Sequence, residues 1–241
     1  MAAQGRKVNW FAIWVSVGVV VALVVVAALV ITLNNASKAA PTATGNQTPT
    51  ASNISSDTGA ILVGTGSQTM DTYIDFMCPI CNQFEQFYGS QIKSLVDDGT
   101  ITLRVHPISI LDRSSQGTQY STRAASAAYC VAIAKPDAVL PFIKEMYAQQ
   151  PAEGSTGLTD SQILDIAKAA GATGIDDCVN SGRYMSYVTA MTEKTPVQPG
   201  LSTISTPTIA INGTTIANST LPQDLSTLFT RSSTPSPTAT P

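Results

Sequence analysis

The sequence predicts an α/β domain with an inserted block of helices, preceded by a single transmembrane helix. Three observations carry that expectation. Residues 10–33 are apolar except for Ser16, Gly18 and Thr32. A strand-like run ending at Met77 leads directly into Cys78-Pro79-Ile80-Cys81 and then into helical spacing. A long stretch of helix signals, roughly residues 112–200, separates the first β-rich region from a second one.

The N-terminal apolar run comes first. A helix over it would be about 36 Å long, enough to cross a bilayer core with some tilt. The run is longer than the apolar region of a cleavable signal peptide, which favours a retained anchor, although Ser37-Lys38-Ala39 weakly resembles a cleavage site. Arg6 and Lys7 precede the run and Lys38 alone follows it. The positive-inside rule then assigns 1–9 to the cytoplasm and the rest of the chain to the outside, as a single-pass protein of the cell membrane. Residues 34–58 are Ser, Thr, Asn, Ala and Pro with few large apolar groups. They cannot bury a core and read as a flexible linker. The tail at 232–241 has the same character and reads as disordered. One globular domain remains, at 59–231, expected to be a monomer. A net charge of -3 and the lack of a basic patch give no argument for nucleic acid.

Within that domain, 60–63, 72–77 and 101–105 read as strands, the last rich in β-branched residues. Between the second and third, Phe84, Phe87, Tyr88, Ile92 and Leu95 recur at helical spacing, implying one buried face. The inserted block holds helices at 120–134, 141–149, from Thr159 to Gly171, at 176–180 and at 184–194. Thr159 and Gln162 form a capping box before the third of these, and Gly171 closes it. A strand at 208–211 follows. Asn212-Gly213 is a strong hairpin signal into 214–217, and a helix is expected at 222–230. Without the insert the order is β–α–β, then β–β–α. This is the thioredoxin order, with the two cysteines after a central strand.

The chemistry sits in the cysteines. Two cysteines with two residues between them, where a strand turns into a helix, suit thiol–disulfide exchange. Orphan N–H groups and the helix dipole favour a thiolate at Cys78. Pro79 is tolerated at the first helical position because that N–H has no partner anyway. Alone, the motif could equally be half of a zinc site. Cys130 and Cys178 lack the close pairing that a four-cysteine zinc site uses. An even cysteine count outside the cytoplasm favours disulfides, and no metal or other cofactor is expected. A Cys130–Cys178 bond would staple the insert to itself and leave the other pair free. The chain-entropy model gives about 4 kcal/mol for a loop of that length. A structural role fits this pair, and a second, relaying redox pair is the alternative.

The residues Asp75-Phe76-Met77-Cys78-Pro79-Ile80-Cys81-Asn82-Gln83-Phe84-Glu85, the helix holding Tyr129-Cys130, Asp177-Cys178, and Ser205-Thr206-Pro207-Thr208 carry a resemblance. Together they resemble the DsbA-like thiol–disulfide oxidoreductases of the thioredoxin superfamily, in particular the membrane-anchored ones of actinobacteria. The resemblance implies a thioredoxin-like fold and a cis Pro207 facing the dithiol. It implies that the Thr206 backbone pairs with an extended substrate peptide. It also implies exported proteins with free thiols as substrates, and a quinone-linked membrane re-oxidase of the DsbB or vitamin K epoxide reductase type.

In the mechanism expected from this, Cys78 is the nucleophile, more exposed at the turn, and Cys81 resolves from a turn further in. Asp75 is a candidate for proton handling because an acid inside an apolar strand needs a reason. Glu85, one turn beyond Cys81, is a second candidate, although a solvated helix residue is its favoured reading. His106, the single histidine, is given no role. Ile80 departs from the pattern, since a histidine often stands there and isoleucine cannot stabilise a thiolate. Disulfide formation in exported proteins is the favoured reading. A tethered reductase of the same fold and a metal-binding module are its rivals.

Overall fold

The computed structural model describes residues 45–229. The anchor expected at 10–33, the start of the linker and the tail at 232–241 lie outside them. No helix among the described residues is long and apolar enough to cross a membrane.

Five strands form one mixed sheet: β1 (Ile61–Val63), β2 (Gln68–Ile74), β3 (Ile101–Pro107), β4 (Thr208–Ile211) and β5 (Thr214–Ile216). Their spatial order is β1-β3-β2-β4-β5, so β2 is central. Strands β2 and β3 run parallel, joined by the long helix α1 (Pro79–Asp97), and every other pairing is antiparallel. Asn212 and Gly213 make the tight turn between β4 and β5, both at positive φ, 48° and 80°. Backbone of this kind matches the twist of a hairpin and suits Asn-Gly.

Strand β2 begins and ends earlier than its sequence suggests. Gln68 and Thr69 pair with Ile101 and Thr102, while Asp75, Phe76 and Met77 leave the ladder. Asp75 causes the exit. Its carboxylate accepts the Met77 N–H at 2.9 Å and its carbonyl accepts the Cys78 N–H at 3.0 Å, forming a turn between strand and helix. Aspartate readily makes such local turns.

The insert holds α2 (Tyr120–Ala134), α3 (Val139–Ala148), α4 (Asp160–Ala169), α5 (Asp176–Asn180) and α6 (Met185–Thr192). Helix α2 is buried on nearly all sides, and its alanines let neighbouring helices approach closely. The capping box at Thr159 and Gln162 forms as expected. The Arg123 guanidinium ties α2 to the start of α4 through Asp160 (2.7 Å) and the Thr118 and Leu158 carbonyls (both 2.9 Å). Cys130 in α2 is bonded to Cys178 in α5.

Three expectations need correcting. The segment 45–58 is not a free linker. Gly45 packs against the Gly182–Arg183 backbone, where any Cβ would collide. The Asn53 amide donates to the Ala132 carbonyl at 2.9 Å, and Ile54 is buried and bridges Ile61. Small and polar side chains can dock through backbone contacts that composition does not reveal. The helix expected at 222–230 shrinks to a short 3-10 turn, Leu225–Leu228, with Asp224 capping Ser226. On α1, Ile92 and Leu95 are buried, but Phe87 is 54 % exposed.

Candidate active site

Cys78 is the N-cap residue of α1 and Pro79 opens the helix. Across from it lies the loop before β4, where the Thr206–Pro207 bond is cis. The Cys78 sulfur sits 3.4 Å from the Thr206 carbonyl oxygen. The fold thus brings together Cys78, Cys81, Thr206 and Pro207. Cys130 and Cys178 are bonded to each other, so they are not available as ligands or partners to the first pair.

Burial distinguishes the two sulfurs less than the sequence suggests. Cys78 is only 6 % exposed, with the Thr206 backbone against it, and Cys81 is fully buried. Their electrostatics differ sharply. The Cys78 thiol is lowered to about 6, chiefly by a hydrogen bond from Cys81. A hydrogen bond from the Thr206 side chain and the N–H groups of Cys81 and Ile80 add to this, against the opposing effect of burial. The Cys81 thiol is driven well above its ordinary value, chiefly by desolvation. At neutral pH the pair therefore holds one thiolate, on Cys78, with the proton on Cys81.

Asp75 is fully buried beneath this turn. Its oxygens accept from the Met77 N–H (2.9 Å), the Leu111 N–H (2.9 Å) and the Ser121 hydroxyl (2.7 Å). Desolvation nevertheless raises it to about 7, outweighing those three bonds. Its partners mark it first as a structural pin between the β2 end, the loop after β3 and α2. The Tyr147 hydroxyl donates to the Asp75 carbonyl at 3.3 Å and lies beside the Cys81 sulfur. Glu85 is half-buried rather than solvated, and burial raises its carboxyl. His106 bonds Asp71 at 2.8 Å and stacks on Tyr73, away from the dithiol.

Several residues at the site gave no sequence signal. The Gln150 side-chain amide donates to the Phe76 carbonyl (3.0 Å) and the Cys78 carbonyl (2.9 Å). Its oxygen accepts from Asn82 (3.1 Å), whose amide also reaches the Tyr147 carbonyl (3.0 Å). Opposite, buried Gln198 donates to the Pro207 carbonyl at 2.9 Å and to Ser205 and Thr208, while Asn218 reaches the same Pro207 carbonyl at 2.7 Å. Asn82 directly follows Cys81, so its place in the first turn was legible. Gln150 and Gln198 are far along the chain and no periodicity marks them. Around the dithiol, Ile80 is 53 % exposed, and the loop leading to Pro207 exposes Val197 and Leu201.

Comparison with known proteins agrees with this geometry. A family model described as thioredoxin matches residues 63–230. Among solved structures, oxidised DsbA of Mycobacterium tuberculosis is 32 % identical, with a TM-score of 0.57, covering 65 % of this chain and 84 % of that one. Reduced DsbG of the same organism is 31 % identical, with a TM-score of 0.55, covering 69 % and 77 %. Among curated proteins, the serine/threonine-protein kinase PknE of M. tuberculosis strain H37Rv is 34 % identical over 133 residues. That match spans 53 % of this chain but only 23 % of the kinase.

Proposed function

We infer direction and setting from one premise: this chain belongs to the thioredoxin family and is a thiol–disulfide oxidoreductase of the DsbA-like kind. We propose that it works as a disulfide oxidase on exported proteins that carry free thiols. One observation carries the reading. Cys78 is held as a thiolate at a helix start, by donors from Cys81, the Thr206 side chain and the Cys81 and Ile80 N–H groups, while Cys81 keeps its proton in a fully buried position.

In the oxidised enzyme Cys78 and Cys81 are joined. A substrate thiolate attacks the Cys78 sulfur, forming a mixed disulfide and breaking the 78–81 bond. Cys81 leaves as a thiolate beside the Tyr147 hydroxyl and takes up a proton. A second substrate thiolate then attacks the substrate sulfur of the mixed disulfide. The substrate leaves oxidised, and two electrons remain on the enzyme, with Cys78 as thiolate. A low Cys78 pKa stabilises this reduced form and makes the disulfide the stronger oxidant. The Thr206 backbone supports strand-like pairing of the substrate peptide, and exposed Ile80, Val197 and Leu201 give an apolar surround without sequence demands.

The cycle needs an electron acceptor, and a quinone-linked membrane re-oxidase fits that need. The apolar run at 10–33 supports placing the domain outside the cytoplasm, tethered to the membrane.

Glutathione equilibration of the purified domain tests the direction. A midpoint potential well above thioredoxin's, which lies at about −270 mV, is expected, with loss of peptide oxidation in Cys78→Ser. A potential at or below thioredoxin's would instead assign the chain as a reductase.

A further inference from the structure

We propose that Gln150, in the inserted helical block, is a positioning residue for the redox reaction: its side-chain amide fixes the peptide planes on which the Cys78 sulfur depends. The inference rests on the dithiol reading given above.

The start of α1 lacks the usual fastening. Ser, Thr, Asp or Asn normally caps a helix through its side chain. Here the N-cap is Cys78, which makes no side-chain cap bond and needs its sulfur for chemistry. Pro79 offers no N–H, and the first turn contains no acidic side chain. The turn must be held from elsewhere. Asp75 holds its N–H groups from below, through Met77 and Cys78.

Gln150 holds its carbonyls from the side. One nitrogen reaches both the Phe76 and Cys78 oxygens, at 3.0 and 2.9 Å, using both of its hydrogens. Its oxygen is occupied by Asn82, whose second hydrogen reaches the Tyr147 carbonyl. The Gln150 backbone N–H bonds that same Tyr147 carbonyl at 3.2 Å, just beyond the end of α3. Each donor and acceptor of the two amides points one way, so neither can flip without losing bonds. The Cys78 carbonyl also accepts the Asn82 N–H, which starts the helix. By holding the Cys78–Pro79 plane, Gln150 sets the head of the helix from which the following Ile80 and Cys81 N–H groups reach the sulfur. The insert thus helps to set the reactivity of a cysteine belonging to the thioredoxin-like core.

Absorbance of the thiolate near 240 nm, followed against pH in the reduced protein, reads Cys78 directly. Gln150→Met, similar in length but without polar atoms, is expected to move the Cys78 midpoint up by about one pH unit, with about a tenfold shift toward the disulfide in equilibrium with glutathione. Asn82→Ala, which frees Gln150 to turn, is expected to move it in the same direction by less, and it serves if Gln150→Met does not fold. A variant that melts at lower temperature yet keeps the wild-type midpoint and glutathione equilibrium would reduce Gln150 to a structural contact and overturn the proposal. That result would leave the redox reading intact. A wild-type midpoint near that of a free cysteine would instead sink the redox reading itself.

Discussion

Two sulfurs three positions apart occupy opposite electrostatic situations. Cys78 gains a donor from its partner, a contact with Thr206 and two backbone N–H groups, whereas Cys81 gains mainly the loss of water. The reduced form binds one proton fewer once pH passes the lowered Cys78 midpoint of about 6. The midpoint potential should then fall by about 59 mV per pH unit below that point and by about 30 mV above it, as one proton rather than two accompanies the two electrons. Potentiometry across pH 4.5–8 should find the break near 6. A single steep line through that range would mean an ordinary thiol.

Asp75 belongs to the same scale with the opposite sign. Its carboxyl is raised in the folded state, so the stability it contributes is complete below its unfolded value and is lost as pH rises toward and through about 7. Denaturant unfolding of the wild type should weaken from about pH 4 to 7. In Asp75→Asn that slope should flatten. The variant should also be less stable at low pH, because an amide would set a donor against the Leu111 N–H.

Among elements, the closure of α2 onto α5 by Cys130–Cys178 is the clearest case of stabilisation separate from chemistry. The two cysteines are 48 positions apart. Removing the bond with a Cys130→Ala/Cys178→Ala pair should cost about 4 kcal/mol in denaturant unfolding, by loop entropy. The Cys78 titration should not move, because that disulfide touches only the insert. A changed titration would revive the relay reading that the sequence left open.

Legibility also followed element type. Helix α2, helix α5 and strand β4 were readable because periodicity and strand propensity acted locally. The capping box and the Asn-Gly turn were readable because fixed residue types make them. Strand β2 was misplaced because its end is decided by Asp75 bonding Met77, a local turn competing with the ladder. In place of the helix expected at 222–230, Asp224 and Gln91 hold a short turn, bonding the Ser226 and Leu225 N–H groups.

At the scale of the whole molecule, the thioredoxin-like sheet and the helical insert are not two independent parts. Helices α1 and α3 meet beside the Thr72, Ile74, Leu103 and Val105 face of the sheet, leaving a cleft of about 950 Å³ that reaches Cys81 and Tyr147. The opposite face carries Asp71 between Arg104 and His106, an ion pair with the half-buried guanidinium and a hydrogen bond to the buried ring. The Cys78–Cys81 dithiol, the cis proline across from it and the second disulfide could be read from motifs. The side chains that hold them could not, because Gln150 and Tyr147 reach the turn from a distant stretch of chain and Gln198 sits in an irregular loop that no periodicity marks. The docking of residues 45–58 onto the domain escaped notice for a related reason. It depends on backbone packing at Gly45 and one amide at Asn53, neither of which hydropathy registers.

The unequal ionisation of the two sulfurs has a practical outcome for living cells. With Cys81 wholly enclosed and Cys130 tied to Cys178, an alkylating mass tag applied near neutral pH has a single ready target in the dithiol form and none in the disulfide form. One gel band that shifts or stays then reports the resting oxidation state of this chain in its own compartment, without purification.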